Sequence, residues 1–247
     1  MTDAQTLEIA VRIAQEAGAL VRQRFGQQHE VTFKGAVDPV TEADQAAETL
    51  ILTRLRAHFP HHAFHAEEGG GAAWQTGAPT WLIDPLDGTN NFAHNFPHVG
   101  ISLGLVIAGE PVVGVIHDPL REETFAARRG AGATCNGQPL HVTSTATLAE
   151  AFLATGLPYE RRVLADNNTR RLDHFARRCQ GIRRAGAAAL DLAYVACGRF
   201  DGYWEPLLKP WDVAAGILLV REAGGQVTDF TGGPEVLSGR ELVASNG

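Results

Sequence analysis

Little in this chain points to cross-links, membranes or polyanionic partners. Its three cysteines, Cys135, Cys179 and Cys197, are odd in number, far apart and without a Cys-x-x-Cys spacing. Neither a disulfide framework nor a thiolate zinc site follows, and a reducing cytoplasm is the expected compartment. No apolar run approaches membrane-spanning length, and the first residues lack the basic and apolar segments of an export signal. A soluble protein that is not exported is therefore expected. Positive charge is also in deficit. A net charge of −7 argues against nucleic acid or an anionic membrane as the main partner, and suits a carboxylate-rich site that a metal would neutralise. There is no internal repeat and no low-complexity segment. What the chain does have is 247 residues with ordinary hydrophobic content, enough for one large domain or two close-packed lobes with a substantial core.

The stretch Trp81-Leu82-Ile83-Asp84-Pro85-Leu86-Asp87-Gly88-Thr89 organises the rest. Three apolar residues read as a buried strand that ends at Asp84, because Pro85 cannot donate a ladder hydrogen bond. Gly88 allows a tight turn, and Thr89 or Asn90 is a suitable N-cap for a following helix. Asp84 and Asp87 thus arrive at a strand-to-helix turn with backbone N–H groups beside them, a place to hold a divalent cation and a phosphate together. An Asx turn plus a helix cap would use the same residues only to satisfy backbone donors.

Around this stretch, helical spacing covers residues 4–25, and a strand is expected over 31–34, broken at Asp38-Pro39. Thr41-x-x-Asp44 opens a second helix to about Phe59. A short strand over 63–66 leads to Glu67 and Glu68, then to a glycine-rich run, 69–76, with the character of a mobile flap. Residues 99–108 and 112–117 form a hairpin that 123–127 and the Asn136-Gly137 turn continue. From about 143 strands and helices alternate: strands at 151–154, 182–184, 202–205, 226–228 and 242–244, helices at 168–178, 187–197 and 211–223. The pattern predicts an α+β architecture, with one lobe over 1–142 holding a mostly antiparallel sheet and a second over 143–247. His58, His61, His62 and His65 are too irregularly spaced for a zinc site, and His94 and His98 read as packing or capping residues.

Four separate segments place carboxylates at strand ends or helix starts: Asp44, Glu67-Glu68, Asp84 with Asp87, and Asp212. Singly, each has a structural explanation: a capping-box partner, a solvated charge, or an acid at a helix N-terminus. In order and spacing, however, Asp44, Glu67-Glu68, the 84–89 stretch and Trp211-Asp212-Val213-Ala214-Ala215-Gly216 resemble the motifs of the inositol monophosphatase family. These are Mg²⁺-dependent, lithium-sensitive phosphatases. The likeness runs from about Lys34 to Asp229 and includes residues 91–97 and 221–225.

The resemblance implies a layered α-β-α-β-α sandwich of the sugar-phosphatase type and a site with two or three Mg²⁺. Glu67, Asp84, the Leu86 carbonyl and the Thr89 hydroxyl would surround one cation; Asp84, Asp87 and Asp212 would hold another. Four carboxylates this close could not all stay ionised without cations. Asp44, Glu67 and Thr89 are the implied catalytic residues, with Thr89 hydrogen-bonded to Asp44 to orient the attacking water and help deprotonate it. Gly88 and Thr89 N–H groups would bind phosphate oxygens, and Lys34 stands where the family has a lysine near the phosphate. Glu205, seven residues before the Trp-Asp motif, and the Gly186-Ala187 turn occupy the positions that touch the alcohol, alongside Asp87 and Asp212. Glu205 favours myo-inositol 1-phosphate over fructose 1,6-bisphosphate, histidinol phosphate, NADP⁺ or 3′-phosphoadenosine phosphate. A small-molecule phosphomonoester and a second copy of the chain are the implied partners.

The chain departs from the family at Ala187, where many members carry a hydroxyl residue. It departs again after the Leu242-Val243-Ala244-Ser245-Asn246 segment, where relatives usually continue into a final helix; stability rather than chemistry should feel that difference. The Asp-x-Asp-Gly-Thr motif of haloacid-dehalogenase phosphatases is one residue shorter than the spacing here, so a phospho-aspartate mechanism is rejected. A reading from another class is a partner-binding role in transcription with incidental phosphatase activity, as in some bacterial relatives. The complete set of implied metal ligands weighs against binding alone.

Overall fold

The computed structural model describes residues 3–27, 31–34, 38–69 and 77–247. The proposed flap falls largely on 70–76, outside the described residues. Two helices open the chain, α1 (Asp3–Arg24) and α2 (Glu42–His58), with a two-stranded antiparallel ribbon between them, β1 (Val31–Lys34) and β2 (Asp38–Thr41). Asp38-Pro39 therefore begins a second strand rather than ending the ribbon. Pro39 is tolerated because a two-stranded ribbon has free edges on both sides. α2 starts at the expected capping box: Ala43 N–H donates to Thr41 Oγ1, and Thr41 N–H donates to Asp44 Oδ2 at 2.8 Å.

The first sheet has the order β3-β4-β5-β6-β7-β8-β9. Its strands are β3 (Ala63–Ala66), β4 (Thr80–Asp87), β5 (Gly100–Ile107), β6 (Glu110–Asp118), β7 (Glu123–Arg128), β8 (Ala133–Cys135) and β9 (Gln138–Pro139). β3 and β4 are parallel and the remaining neighbours antiparallel. β4 is buried along its whole length, and it does not stop at Asp84. The strand passes through Pro85 because its register against β5 shifts between Asp84 and Asp87, so the missing N–H falls where the ladder is already interrupted.

The second sheet, ordered β11-β10-β12-β14-β13, mixes parallel and antiparallel pairs. It comprises β10 (Phe152–Thr155), β11 (Gly181–Arg183), β12 (Gly202–Pro206), β13 (Gln226–Thr228) and β14 (Glu241–Ser245). Three longer helices, α4 (Thr169–Ala176), α5 (Ala188–Ala196) and α6 (Pro210–Glu222), alternate with these strands, and the short α3 (Thr89–Ala93) follows β4.

The layers follow from which faces are apolar. Ile9, Ile13, Ala47, Ile51 and Leu55 of α1 and α2 pack on one face of the first sheet with Trp81, Ile83, Ile101 and Leu103. On the opposite face lie α5 and α6, whose buried stripes join that sheet to the second one. Phe175 of α4 then covers Trp204 and Leu153 on the outside. The result is an α-β-α-β-α sandwich. α6 comes unusually close to the first sheet because Gly104 and Gly114 present no side chain. A Cβ on Gly114 would lie 2.8 Å from the Ala215 carbonyl oxygen. No helix among the described residues is long and apolar enough to cross a membrane.

Candidate active site

The parallel pairing of β3 with β4 sets Ala66 opposite Ile83, and Glu67 N–H donates to the Ile83 carbonyl at 3.1 Å. That pairing carries Glu67 to the end of β4 beside Asp84. The Asp84 carboxylate turns one oxygen to Leu86 N–H at 3.0 Å. Gly88 adopts φ 94°, and a Cβ there would stand 2.9 Å from the His98 carbonyl oxygen, so only glycine fits.

Gly88, not Thr89, is the N-cap of α3. The Thr89 hydroxyl is drawn away to Asp44 Oδ1 at 2.8 Å, with the Leu86 carbonyl at 3.1 Å as its other acceptor. Asp44 thus caps α2 with one oxygen and accepts from Thr89 with the other. Both residues are buried, and burial raises the Asp44 pKa despite the hydrogen bonds from Thr41 and Thr89.

α5 and α6 close the site from the other side. Ala189 N–H, in the first turn of α5, donates to Asp87 Oδ2 at 2.7 Å. Asp212, in the first turn of α6, accepts from Lys209 N–H at 2.7 Å, while Ser102 Oγ donates to the Trp211 carbonyl and ties that helix start to β5. Glu205 projects from β12 and is hydrogen-bonded to the Tyr203 hydroxyl. These groups line one cleft of about 330 Å³ that includes Glu67, Asp84, Asp87, Thr89, Glu205 and Asp212. A larger apolar cavity of about 540 Å³ lies on the α4 side of the second sheet. Its carboxylate, Asp201, is taken up by Phe152 N–H and the Thr143 hydroxyl, so it carries no comparable constellation.

The cleft is electrostatically unfavourable as it stands. Burial first, then the charges of Glu67, Asp87 and Asp212, hold Asp84 well above the usual carboxylate range. Asp212 is raised in the same way by burial, Glu67 and Asp87. Asp87 is pushed up to about 7, chiefly by burial, against the stabilising Ala189 N–H. Glu205 is pushed up to about 8, again by burial. Among the described residues no three His, Cys, Asp or Glu side chains stand together at metal-holding distance. Asp84, Asp87 and Asp212 instead each give an oxygen to a backbone N–H. The donor set nonetheless fits a hard cation: carboxylates, a carbonyl and a hydroxyl, all oxygen, in mutual repulsion that a divalent ion would relieve.

A sequence profile of the inositol monophosphatase family matches residues 3–247. The chain belongs to that family. It is 46% identical to inositol-1-monophosphatase of Synechocystis sp., over all of this chain and 86% of that protein. It is 43% identical to the Nus factor SuhB of Escherichia coli (strain K12), over 97% of this chain and 91% of the relative. The solved structure of an inositol monophosphatase from Anabaena (Nostoc) sp. PCC 7120 superposes with a TM-score of 0.90 at 44% identity. That match covers 100% of this chain and 92% of the Anabaena protein. Inositol monophosphatases are phosphomonoesterases that use metal ions, and this chain shares that class.

The structure thus brings together Asp44, Glu67, Asp84, Leu86, Asp87, Gly88, Thr89 and Asp212, with Gly186 and Glu205 on the adjoining wall, while Ala187 is buried and does not line the cleft. Ala187 is the N-cap of α5, makes no side-chain cap and packs beside Gly88. Lys34 ends β1, and its side chain is outside the described residues. His62 accepts from Trp81 Nε1 at 3.1 Å and His65 packs on the Trp211 ring, both structural roles. His94 is exposed, whereas His98 is buried with Nε2 3.7 Å from Asp191 Oδ1.

Two residues escaped sequence reasoning. Asn91 Nδ2 lies within 2.8–3.2 Å of the carbonyls of His98, Ala185 and Gly186, clamping the Gly88 turn to the start of α5. Its place in the 91–97 motif was the available signal. Arg184 also lines the cleft, and no local pattern marks it out.

Proposed function

We propose that the chain is a Mg²⁺-dependent, lithium-sensitive phosphatase that hydrolyses myo-inositol 1-phosphate to inositol and phosphate. The observation that carries this reading is the convergence of Glu67, Asp84, Asp87 and Asp212 on the Gly88 turn, with Glu205 lining the same cleft. Glu67, Asp84, the Leu86 carbonyl, Asp87, Thr89 and Asp212 would hold two or three Mg²⁺. When bound, these ions supply Lewis acidity at phosphorus, lower the pKa of water and stabilise the leaving alkoxide.

The protein's own part is positioning and proton handling. Thr89 has one hydroxyl proton, and donating it to Asp44 leaves its lone pairs facing the cleft to accept from an attacking water. Asp44, buried and with a raised pKa, is the final acceptor of that proton. Gly88 and Thr89 N–H groups, with Lys34, would hold the phosphate oxygens for in-line attack. Asp87, Asp212, Gly186, Ala187 and Glu205 would orient the alcohol, with Glu205 bridging vicinal hydroxyls. Without a hydroxyl at 187 one such contact is absent, which leaves room for other sugar or nucleotide phosphates. A homodimer rests on the resemblance and is checked by light scattering.

The test is phosphate release from myo-inositol 1-phosphate, fructose 1,6-bisphosphate, NADP⁺ and 3′-phosphoadenosine phosphate, with and without Mg²⁺ and Li⁺. Asp87→Asn is the inactive control. A preference of tenfold or more for inositol 1-phosphate, about 1.4 kcal/mol, upholds the substrate assignment. Preference for another compound removes it. The 43% identity to a Nus factor favours a second reading, a partner-binding role in transcription beside the phosphatase activity. An RNase-treated pull-down that retains transcription proteins with both the wild type and Asp87→Asn would support it.

A further inference from the structure

Leu207 is unusual in two respects: it adopts φ 65°, and it is 46% exposed to solvent. The other described non-glycine residues at positive φ are three asparagines, an alanine and a glutamate, so Leu207 alone is large and apolar. A bulky side chain in the left-handed region crowds its own backbone, and an apolar one left in water contributes little to the core. The backbone geometry itself has a cause. Between the end of β12 at Pro206 and the start of α6 at Pro210, the chain turns from strand to helix within three residues. Leu207 N–H still donates to the Arg240 carbonyl at 2.8 Å. The Gly239 turn lies close against the next residue, where a Cβ on Gly239 would stand 2.6 Å from the Leu208 carbonyl oxygen. That clamp imposes the positive φ, which glycine would meet without strain. It accounts for the backbone and leaves the leucine side chain unexplained.

The surroundings of that side chain supply a reason. Leu207 lines the candidate active-site cleft, two positions after Glu205. Of the six exposed large hydrophobic side chains among the described residues, a second, Tyr159, lines the same cleft. Leu157, Pro158 and Pro206 line it as well. The cleft therefore offers two chemistries: carboxylates suited to cations and hydroxyls, and an apolar surface that neither a cation nor a polyol would cover. We infer that Leu207 and Tyr159 form an apolar subsite of the cleft, which receives an apolar substituent, alkyl or aromatic, on the alcohol portion of the substrate. This rests on the phosphomonoesterase reading and deepens it, extending the class accepted to monoesters of amphiphilic alcohols. Leu207 is then a specificity-determining residue that touches the substrate away from phosphorus. Its strain is met when the chain folds, so the apolar surface is already in place when the substituent arrives and sheds its water.

The experiment uses the full chain with Mg²⁺ and two phosphomonoesters that differ only in an apolar group, ethyl phosphate and 2-phenylethyl phosphate. Both leaving alcohols are primary, so the chemical step is matched. Leu207→Gly should lower kcat/KM for 2-phenylethyl phosphate about fivefold or more beyond its effect on ethyl phosphate, chiefly through KM. Leu207→Met, apolar and of similar volume, should keep the ratio of the two esters within roughly twofold of the wild type. Tyr159→Ala should shift the ratio in the same direction as Leu207→Gly. Val163→Ser is the comparison, because Val163 is 84% exposed and does not line the cleft, and the ratio should not change. Glycine relieves the strain at φ 65°, so Leu207→Gly should melt close to the wild-type temperature. Equal losses on both esters in Leu207→Gly, or an unchanged ratio, would overturn the subsite and leave Leu207 as a strained turn residue. An equal shift in Val163→Ser would overturn it too. If the wild type hydrolyses neither ester, the subsite is judged by calorimetric binding of 2-phenylethyl phosphate. A Kd about fivefold weaker in Leu207→Gly upholds it, and an unchanged Kd, or no binding to the wild type, overturns it. If inositol 1-phosphate is also left intact, the phosphomonoesterase reading falls separately.

Discussion

Thr89 and Asp44 come from elements 45 positions apart, yet the proposed proton path makes them one functional unit. Replacing Thr89 with Val keeps the shape and removes the hydroxyl. Replacing Asp44 with Asn keeps the shape and removes the proton acceptor. A positioned general base contributes ~10²- to 10⁴-fold, so each variant should lose kcat by that order, about 3–5 kcal/mol. The fold should tolerate both. Thr89→Val leaves one buried acceptor short of a donor, at a cost of about 1–3 kcal/mol. Asp44→Asn weakens the bonds from Thr41 N–H and Oγ1, at 2.8 and 2.6 Å, but also removes a carboxylate whose burial already disfavours its charge. The deciding measurement is the double variant, assayed for phosphate release at saturating Mg²⁺ and substrate, with melting curves run in parallel. If the two residues act in series, the double variant is no worse than about tenfold below the poorer single one, and Thr89→Ser retains most activity. Losses that multiply, with folding intact, would refute the relay, because the two residues would then contribute independently.

Three further outcomes are expected. A Cβ on Gly156 would collide with the Glu205 carboxyl, so Gly156→Ala should raise KM for inositol 1-phosphate about tenfold with little change in kcat; steady-state kinetics showing the reverse split would remove Glu205 from substrate recognition. Gly114→Ala drives a methyl to within 2.8 Å of the Ala215 carbonyl oxygen and 3.0 Å of its Cα, and overpacking there should cost about 1–3 kcal/mol, visible as a melting temperature several degrees lower. In EDTA, stability should fall as pH rises. The folded-state pKa of Asp87 is raised from 3.8 to about 7, and Asp84 and Asp212 are raised too, so the folded protein binds protons that the unfolded chain has already released. Their contribution is fully present below 3.8 and is lost as pH climbs through about 7 for Asp87. Melting temperatures between pH 5 and 8 should drop in EDTA and flatten with Mg²⁺; identical profiles would mean that no cation relieves these carboxylates.

Features decided within a turn or two of chain were legible in the sequence. The capping box at Thr41 and Asp44, the Gly88 turn and the Asn136-Gly137 hairpin each depend on neighbours a few residues away. Features decided by a distant partner were not. Pro85 looks like a strand end because its missing N–H is visible in sequence, whereas the bulge that accommodates it is set by pairing with β5. Thr89 looks like a cap because the acceptor that claims its hydroxyl lies on α2. Asn91 carries a motif but not its role, since the carbonyls it clamps at Ala185 and Gly186 lie more than ninety positions away.

The same division explains how mutually repelling carboxylates are held in one cleft. The family resemblance of the motifs around Asp84, Asp87 and Asp212 implies that they meet, but does not fix their orientation. Each is fixed by a backbone N–H: Leu86 within the bulge, Ala189 across from α5, Lys209 at the start of α6. Two of these donors are local to the carboxylate they hold, and the third depends on α5 packing against the Gly88 turn through Asn91. Asp87 is therefore the acid whose position is most exposed to damage far from it in sequence. Loosening the Asn91 clamp should disturb Asp87 before it disturbs Asp84 or Asp212.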